Sequence, residues 1–121
     1  MITGGGSGIG WAACKAFARA GARVVISDID EDAGARVLKR LTGCGREAIF
    51  VPADVSNRTD VQDLIEAAVD TYGCLDIAFN NAGIEGTLAP AADCPDEVWD
   101  RVIAVNLRWR SKVDQSMRAR T

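Results

Sequence analysis

The chain has 121 residues, of which 48% are apolar and 26% charged, with a net charge of −3 at neutral pH. That length holds one domain at most and is large enough for a core, and the acidic balance speaks against a nucleic-acid partner. No apolar run reaches the roughly eighteen residues that a membrane span requires, and the first residues do not read as a secretion signal, so a membrane partner is not expected and a cytoplasmic location is.

Residue types narrow the chemistry further. There is no histidine, which removes Ser-His-Asp and Cys-His catalysis from these residues. The four cysteines, Cys14, Cys44, Cys74 and Cys94, show no CxxC pairing. Neither a metal site nor a disulfide scaffold is expected, and free thiols in a reducing compartment are. Charge is uneven along the chain. Residues 107–121 carry a net +4 and residues 1–106 a net −7, and the short basic end reads as a solvated tail.

The chain opens with "MITGGGSGIGW", five glycines in its first ten residues. Ile9, Ala12, Ala13, Ala16, Phe17 and Ala20 then recur at helical spacing, which predicts a first helix with that face buried and Gly21 as its stop. "RVVIS" (23–27) is β-branched and continuous, as a strand buried on both faces should be. Asp28 and Asp30 follow. Ala33, Val37, Leu38 and Leu41 mark a second helix ending near Gly43, and "AIFV" (48–51) a further buried strand closed by Pro52.

Ser56 is the expected N-cap of a third helix with the stripe Val61, Leu64, Ile65, Ala68 and Tyr72, stopped by Gly73. "LDIAF" (75–79) predicts a fourth strand running into "NNAG" (80–83). After a loop rich in Gly, Ala and Pro, Pro95 at a first helical position opens a helix with Trp99, Val102, Ile103 and Asn106 on one stripe. Strands alternating with helices across short connections predict a parallel sheet, right-handed crossovers and helices on both faces.

In such a sheet ligands bind outside the carboxyl ends of the strands, where strand order reverses. The first strand-to-helix turn lies there. Its bare N–H groups and partial positive charge suit a pyrophosphate, and glycine lets ligand and backbone touch. Gly4, Gly8 and Gly10 carry that spacing, with Ser7 as a hydroxyl donor. A second register, Gly8-Ile9-Gly10-Trp11-Ala12-Ala13, matches GxGxxA for the same ligand, whereas Trp11 after Gly10 rules out a Walker lysine. Asp28 stands where a carboxylate accepts from the adenosine ribose hydroxyls and repels a 2′-phosphate, favouring NAD over NADP. A plain turn or cap role for Asp28 stays open.

Together these stretches resemble the short-chain dehydrogenases/reductases. Thr3-Gly4-Gly5-Gly6-Ser7-Gly8-Ile9-Gly10 matches the family's TGxxxGxG motif, and Asp54-Val55 is similar to its adenine-contacting pair. Asn80-Asn81-Ala82-Gly83 matches its NNAG motif, and "WDRVIAVNL" (99–107) is similar to its fourth helix. The resemblance implies a Rossmann-type doubly wound parallel sheet over residues 1–107, binding NAD(H) and exchanging hydride with a small-molecule alcohol or ketone. Gly4, Ser7, Gly8, Ile9 and Gly10 would hold the pyrophosphate, Asp28 the ribose, and Asp54 and Val55 the adenine. Asn80, Ala82 and Gly83 would line the cofactor along the fourth strand.

Asn106 falls on an apolar stripe, so its amide needs partners. Either it bonds nearby backbone, or, as the resemblance implies, it is the asparagine of the catalytic Asn-Ser-Tyr-Lys set. The rest of that set is missing. The one tyrosine, Tyr72, is followed four residues on by Asp76 and not lysine. From Arg108 the family pattern lapses into a divergent basic tail (108–121), though Trp109, Val113 and Met117 can still line a weak helix.

The first strand is expected to be short and the family's strands five to seven to be absent, so the expectation is an incomplete sheet in a truncated or frame-altered product, or a fragment. Open edges then imply marginal stability or self-association into a homo-oligomer. A cofactor-binding half without turnover of its own, a non-catalytic dinucleotide-binding or partner module, and a non-functional gene product all remain open.

Overall fold

The computed structural model describes residues 1–118; the last three residues of the basic tail, 119–121, lie outside the described residues. Its elements are β1 (Ile2–Thr3), α1 (Gly8–Arg19), β2 (Val24–Asp28), α2 (Glu31–Gly43), β3 (Ala48–Pro52), α3 (Arg58–Tyr72), α4 (Asp96–Ile103) and α5 (Arg110–Arg118). A short 3-10 turn, Ala91–Asp93, precedes α4, and a π turn, Ala104–Arg108, joins α4 to α5.

The three strands form a parallel sheet in the order β1-β2-β3, registered by Ile2 opposite Ile26 and Val25 opposite Ile49. On its other side β1 meets Phe79 through a parallel bridge at Ile2. Sheet order therefore reverses at β1, with β2 to one side and the 77–79 segment to the other. This is the doubly wound arrangement that the alternating pattern predicted.

Alternation along β2 sends its side chains to two separate cores. Val24 and Ile26 pack with Cys14, Ala18, Val37 and Leu41 under α1 and α2. Val25 packs with Val61, Leu64, Ile65 and Ala68 of α3. Trp109 and Val113 join that second core, so the stretch read as a weak helix is a helix docked on α3.

Several details depart from the sequence reading. The buried side of α1 is Gly10, Cys14 and Ala18, while Ile9 is 73% exposed and Ala12, Ala16 and Ala20 are also exposed. Small residues face inward because helix and sheet approach closely: a Cβ on Gly10 would lie 1.9 Å from the Gly4 carbonyl oxygen. α3 is capped by Asn57, whose Oδ1 accepts from Thr59 and Asp60 N–H. Ser56 instead donates its hydroxyl to Asp54 Oδ1 at 2.6 Å.

Pro95 is the N-cap of α4 and not its first helical residue, and Trp99 on that helix is 61% exposed. Residues 75–79 form no strand beyond the single bridge at Phe79, although Met1 and Phe79 exchange backbone bonds with that segment and with β1. With β1 only two residues long, there is no longer ladder for them to extend.

Candidate functional site

A cleft of about 640 Å³ opens at the carboxyl ends of the strands, beside the point where sheet order reverses. Gly4, Ser7, Gly8 and Ile9 form one side of it, Asp28 lines it at the end of β2, and Asp54 and Val55 line it after β3. Ala82 and Gly83 close it from the segment after Phe79. Three residues expected at the site do not line this cleft: Gly10, Asn80 and Asn106. Gly10 lies buried beneath the bend. Asn80 keeps its Oδ1 buried with no partner among the described residues.

Local chemistry shapes the bend. Gly8 has φ +53°, a left-handed conformation that other residues adopt with strain, and nothing lies within 4 Å of where its Cβ would be, so the open side faces solvent. Ser7 precedes α1 in extended conformation with no side-chain capping bond, and the first turn of α1 holds no acid. α2, α3 and α4 each carry acids in their first turns. The unpaired N–H groups and positive end of α1 are thus left without a counter-charge of their own on that helix.

Asp28 ties the bend to the sheet. Its Oδ2 accepts from Gly6 N–H at 2.9 Å and its Oδ1 from Asp30 N–H at 2.9 Å, so it does serve a turn while lining the cleft. The following residue, Ile29, is 68% exposed and brings no positive charge to the carboxylate. Asp54 is turned toward its own loop, with Oδ1 accepting from both Ser56 N–H and Oγ–H. Beneath the bend, burial pushes the Cys14 thiol up to about 11.

Asn106 satisfies both ends of its amide on one residue. Oδ1 accepts from Ile84 N–H at 2.8 Å and Nδ2 donates to Ile84 O at 2.9 Å. The partners that an amide on an apolar stripe requires are therefore backbone groups, and the clamp holds the end of the cleft wall, since Ile84 lines it.

Asn81, Ile84, Arg101 and Val105 also line the cleft and were not singled out from sequence. Asn81 had a signal, being the second of two adjacent asparagines: its Nδ2 donates to Thr3 O at 3.2 Å and also approaches Gly4 O at 3.4 Å. Arg101 and Val105 had none, because only the fold brings these two residues of α4 and the π turn to the same cleft as the glycine bend.

A sheet reversing at β1, a glycine bend against a bare helix N-terminus and an acid at the end of β2 together define a Rossmann-type doubly wound α/β fold. A model of the short chain dehydrogenase family matches residues 1–110, and the chain belongs to that family. It is 44% identical over 107 residues to 3beta-hydroxysteroid dehydrogenase 2 of Eggerthella lenta, covering 88% of this chain and 41% of that one.

Among solved structures, it superimposes with a TM-score of 0.87 on the 3-ketoacyl-(acyl-carrier-protein) reductase of Brucella melitensis complexed with NADH. That match has 38% identity and covers 95% of this chain and 46% of that one. An actinorhodin polyketide ketoreductase variant with NADPH gives a TM-score of 0.89 at 32% identity, covering 96% of this chain and 44% of that one. The chain thus spans less than half the length of these relatives. Among the described residues no helix is long and apolar enough to cross a membrane.

Proposed function

We propose that the cleft holds NAD(H) and that the chain is the cofactor-binding half of an oxidoreductase acting on a small-molecule alcohol or ketone. The observation that carries this reading is the shared cleft of the glycine bend and Asp28, joined by the bond from Gly6 N–H to the carboxylate. The size also fits, because ligand sites of this kind span about 300–1,000 Å³. In this reading a bound dinucleotide supplies hydride exchange, and the chain's residues bind and orient it.

Gly4, Ser7, Gly8 and Ile9 receive the pyrophosphate at the positive end of α1, with Gly10 beneath them keeping the bend tight. Asp28 accepts from the ribose hydroxyls, and Asp54 and Val55 flank the adenine. Ala82 and Gly83 carry the cofactor along the cleft, with Asn80 behind them. Asn106 acts as the water-holding asparagine of the proton relay while its amide stays on Ile84. The carboxylate beside the ribose favours NAD over NADP.

Proton transfer requires a group that Tyr72 does not provide. Tyr72 lines a second cavity of about 270 Å³ at the opposite, amino-terminal ends of the strands, under the Arg23 guanidinium at 5.1 Å. That observation favours a second reading, a dinucleotide-binding module without turnover of its own. A cytoplasmic location belongs to both readings and is supported by free thiols at Cys14, Cys44, Cys74 and Cys94.

NADH fluorescence titration tests the binding claim. The expected result is saturable enhancement that Asp28→Ala weakens by about 10- to 100-fold, as loss of a charge-assisted hydrogen bond would. Binding indifferent to Asp28→Ala would remove the ribose assignment.

A further inference from the structure

Asn106 reaches Ile84 from a helix that is not regular at that point. α4 ends at Ile103, and the backbone widens into the π turn Ala104–Arg108 before α5 resumes at Arg110. Such a turn inserts one residue into the helical ladder and shifts the backbone bonding from four residues to five. A side chain also donates to it. The indole Nε1–H of Trp109 bonds Val105 O at 2.6 Å, while the backbone N–H of Trp109 is directed to Leu107 O.

The indole is fixed from two sides. Trp109 is 4% exposed and packs in the same core as Val61, Leu64, Ile65 and Val113. The residue whose carbonyl it holds, Val105, lines the cleft, and the next residue, Asn106, clamps Ile84 on the same wall. The core beneath α3 is thereby linked through one ring to the wall of the cleft. Tryptophan suits this place because it offers a large apolar body with a single N–H donor at its rim.

We propose that Trp109 is a positioning residue: its indole N–H holds the π turn in the register that sets the Asn106 amide on Ile84, and so fixes the 82–84 wall. The effect on Ile84 follows from these contacts alone. The effect on a dinucleotide rests on the reading under Proposed function.

Hydrogen exchange at the Ile84 amide, followed by NMR on the whole chain, tests the proposal. Trp109→Phe, or the sulfur isostere 3-benzothienyl-alanine at 109 should phenylalanine prevent folding, keeps the ring and deletes the N–H. Ile84 exchange should quicken about tenfold relative to the Val61 and Leu64 amides, and Asn106→Ala combined with either change should add nothing to the effect of Asn106→Ala alone. Ile84 exchange that stays unchanged, or rises only in step with Val61 and Leu64, overturns the proposal and leaves Trp109 a core residue. NADH affinity is the second readout. A several-fold loss with Trp109→Phe supports both claims, whereas faster Ile84 exchange at unchanged affinity supports the positioning role and contradicts the use of this wall by the dinucleotide.

Discussion

Thr3 and Asn81, 78 residues apart, are locked together by both backbone and side chains. The Thr3 hydroxyl oxygen accepts the N–H groups of Asn81 and Ala82 at 3.1 Å each, and Asn81 Nδ2 donates back to Thr3 O at 3.2 Å. Thr3 is fully buried, so no water replaces these bonds. A two-residue strand is in this way held to the segment that closes the cleft. Thr3→Val keeps the shape but strands the Ala82 N–H, whereas the Asn81 N–H still reaches Phe79 O at 2.9 Å; it should lower stability by about 2 kcal/mol in urea unfolding, while Thr3→Ser should cost about 1 kcal/mol. Equal losses for the two variants would mean that the methyl packing, and not the oxygen, is what matters.

The glycine bend should tolerate a methyl group at one position and not at another. At Gly10 a Cβ would sit 1.9 Å from Gly4 O, a backbone atom that cannot swing aside. Gly10→Ala should therefore push α1 off the sheet and abolish NADH binding. At Gly8 a Cβ meets nothing within 4 Å, although φ is +53°. Gly8→Ala should cost about 1 kcal/mol of stability from the left-handed backbone and leave a folded protein. Thermal melts of the two variants, each with and without NADH, separate these outcomes.

Stability should fall in alkali through Cys14. Burial raises its thiol from an ordinary 9.0 to about 11, so the folded chain holds its proton across that interval while the unfolded chain releases it. Stability supplied by the neutral thiol is present below pH 9.0 and is lost as pH rises toward about 11. Burial of Tyr72 raises its hydroxyl as well and acts in the same direction. In Cys14→Ala the slope of stability between those two pH values should shrink in denaturant titrations. At pH 8 a thiol reagent should label exposed Cys44 and Cys74 well before Cys14.

Docking of α5 onto α3 makes Val113 a core position, with no exposed surface. Val113→Ala should destabilise by about 2 kcal/mol, the scale of a buried valine's lost contacts. A change below about 0.5 kcal/mol, the range typical of surface substitutions, would mean that α5 is not docked in solution.

The sequence pattern reported the helices more faithfully than their faces. Val61, Leu64, Ile65 and Ala68 were legible as a stripe because large apolar residues recur at helical spacing on one side of α3. α1 misled, since its inward residues Gly10, Cys14 and Ala18 are small and the larger Ile9 lies outside. Close approach to a sheet selects small residues, which a count of apolar bulk passes over. The cap of α3 went to Asn57 because Ser56 already spends its hydroxyl on Asp54, a choice decided by geometry between two adjacent capping residues. The segment 75–79 has a strand's composition, but a strand needs a partner along its length, and β1 offers two residues. The motifs named most of the cleft's rim. Arg101 of α4 and Val105 of the π turn join it only through tertiary folding, which no local pattern encodes.

In the proposed function a bare glycine bend and the Asp28 carboxylate form one cradle for a dinucleotide lacking a 2′-phosphate. The most direct measurement of this is the ratio of NADPH to NADH dissociation constants, taken by fluorescence titration on the parent chain and on Asp28→Ala under one buffer. The parent should prefer NADH by about tenfold or more, and the preference should collapse in the variant, as removal of a like charge beside the extra phosphate requires. Equal affinities for the two cofactors in the parent, or a preference that survives Asp28→Ala, would contradict this function.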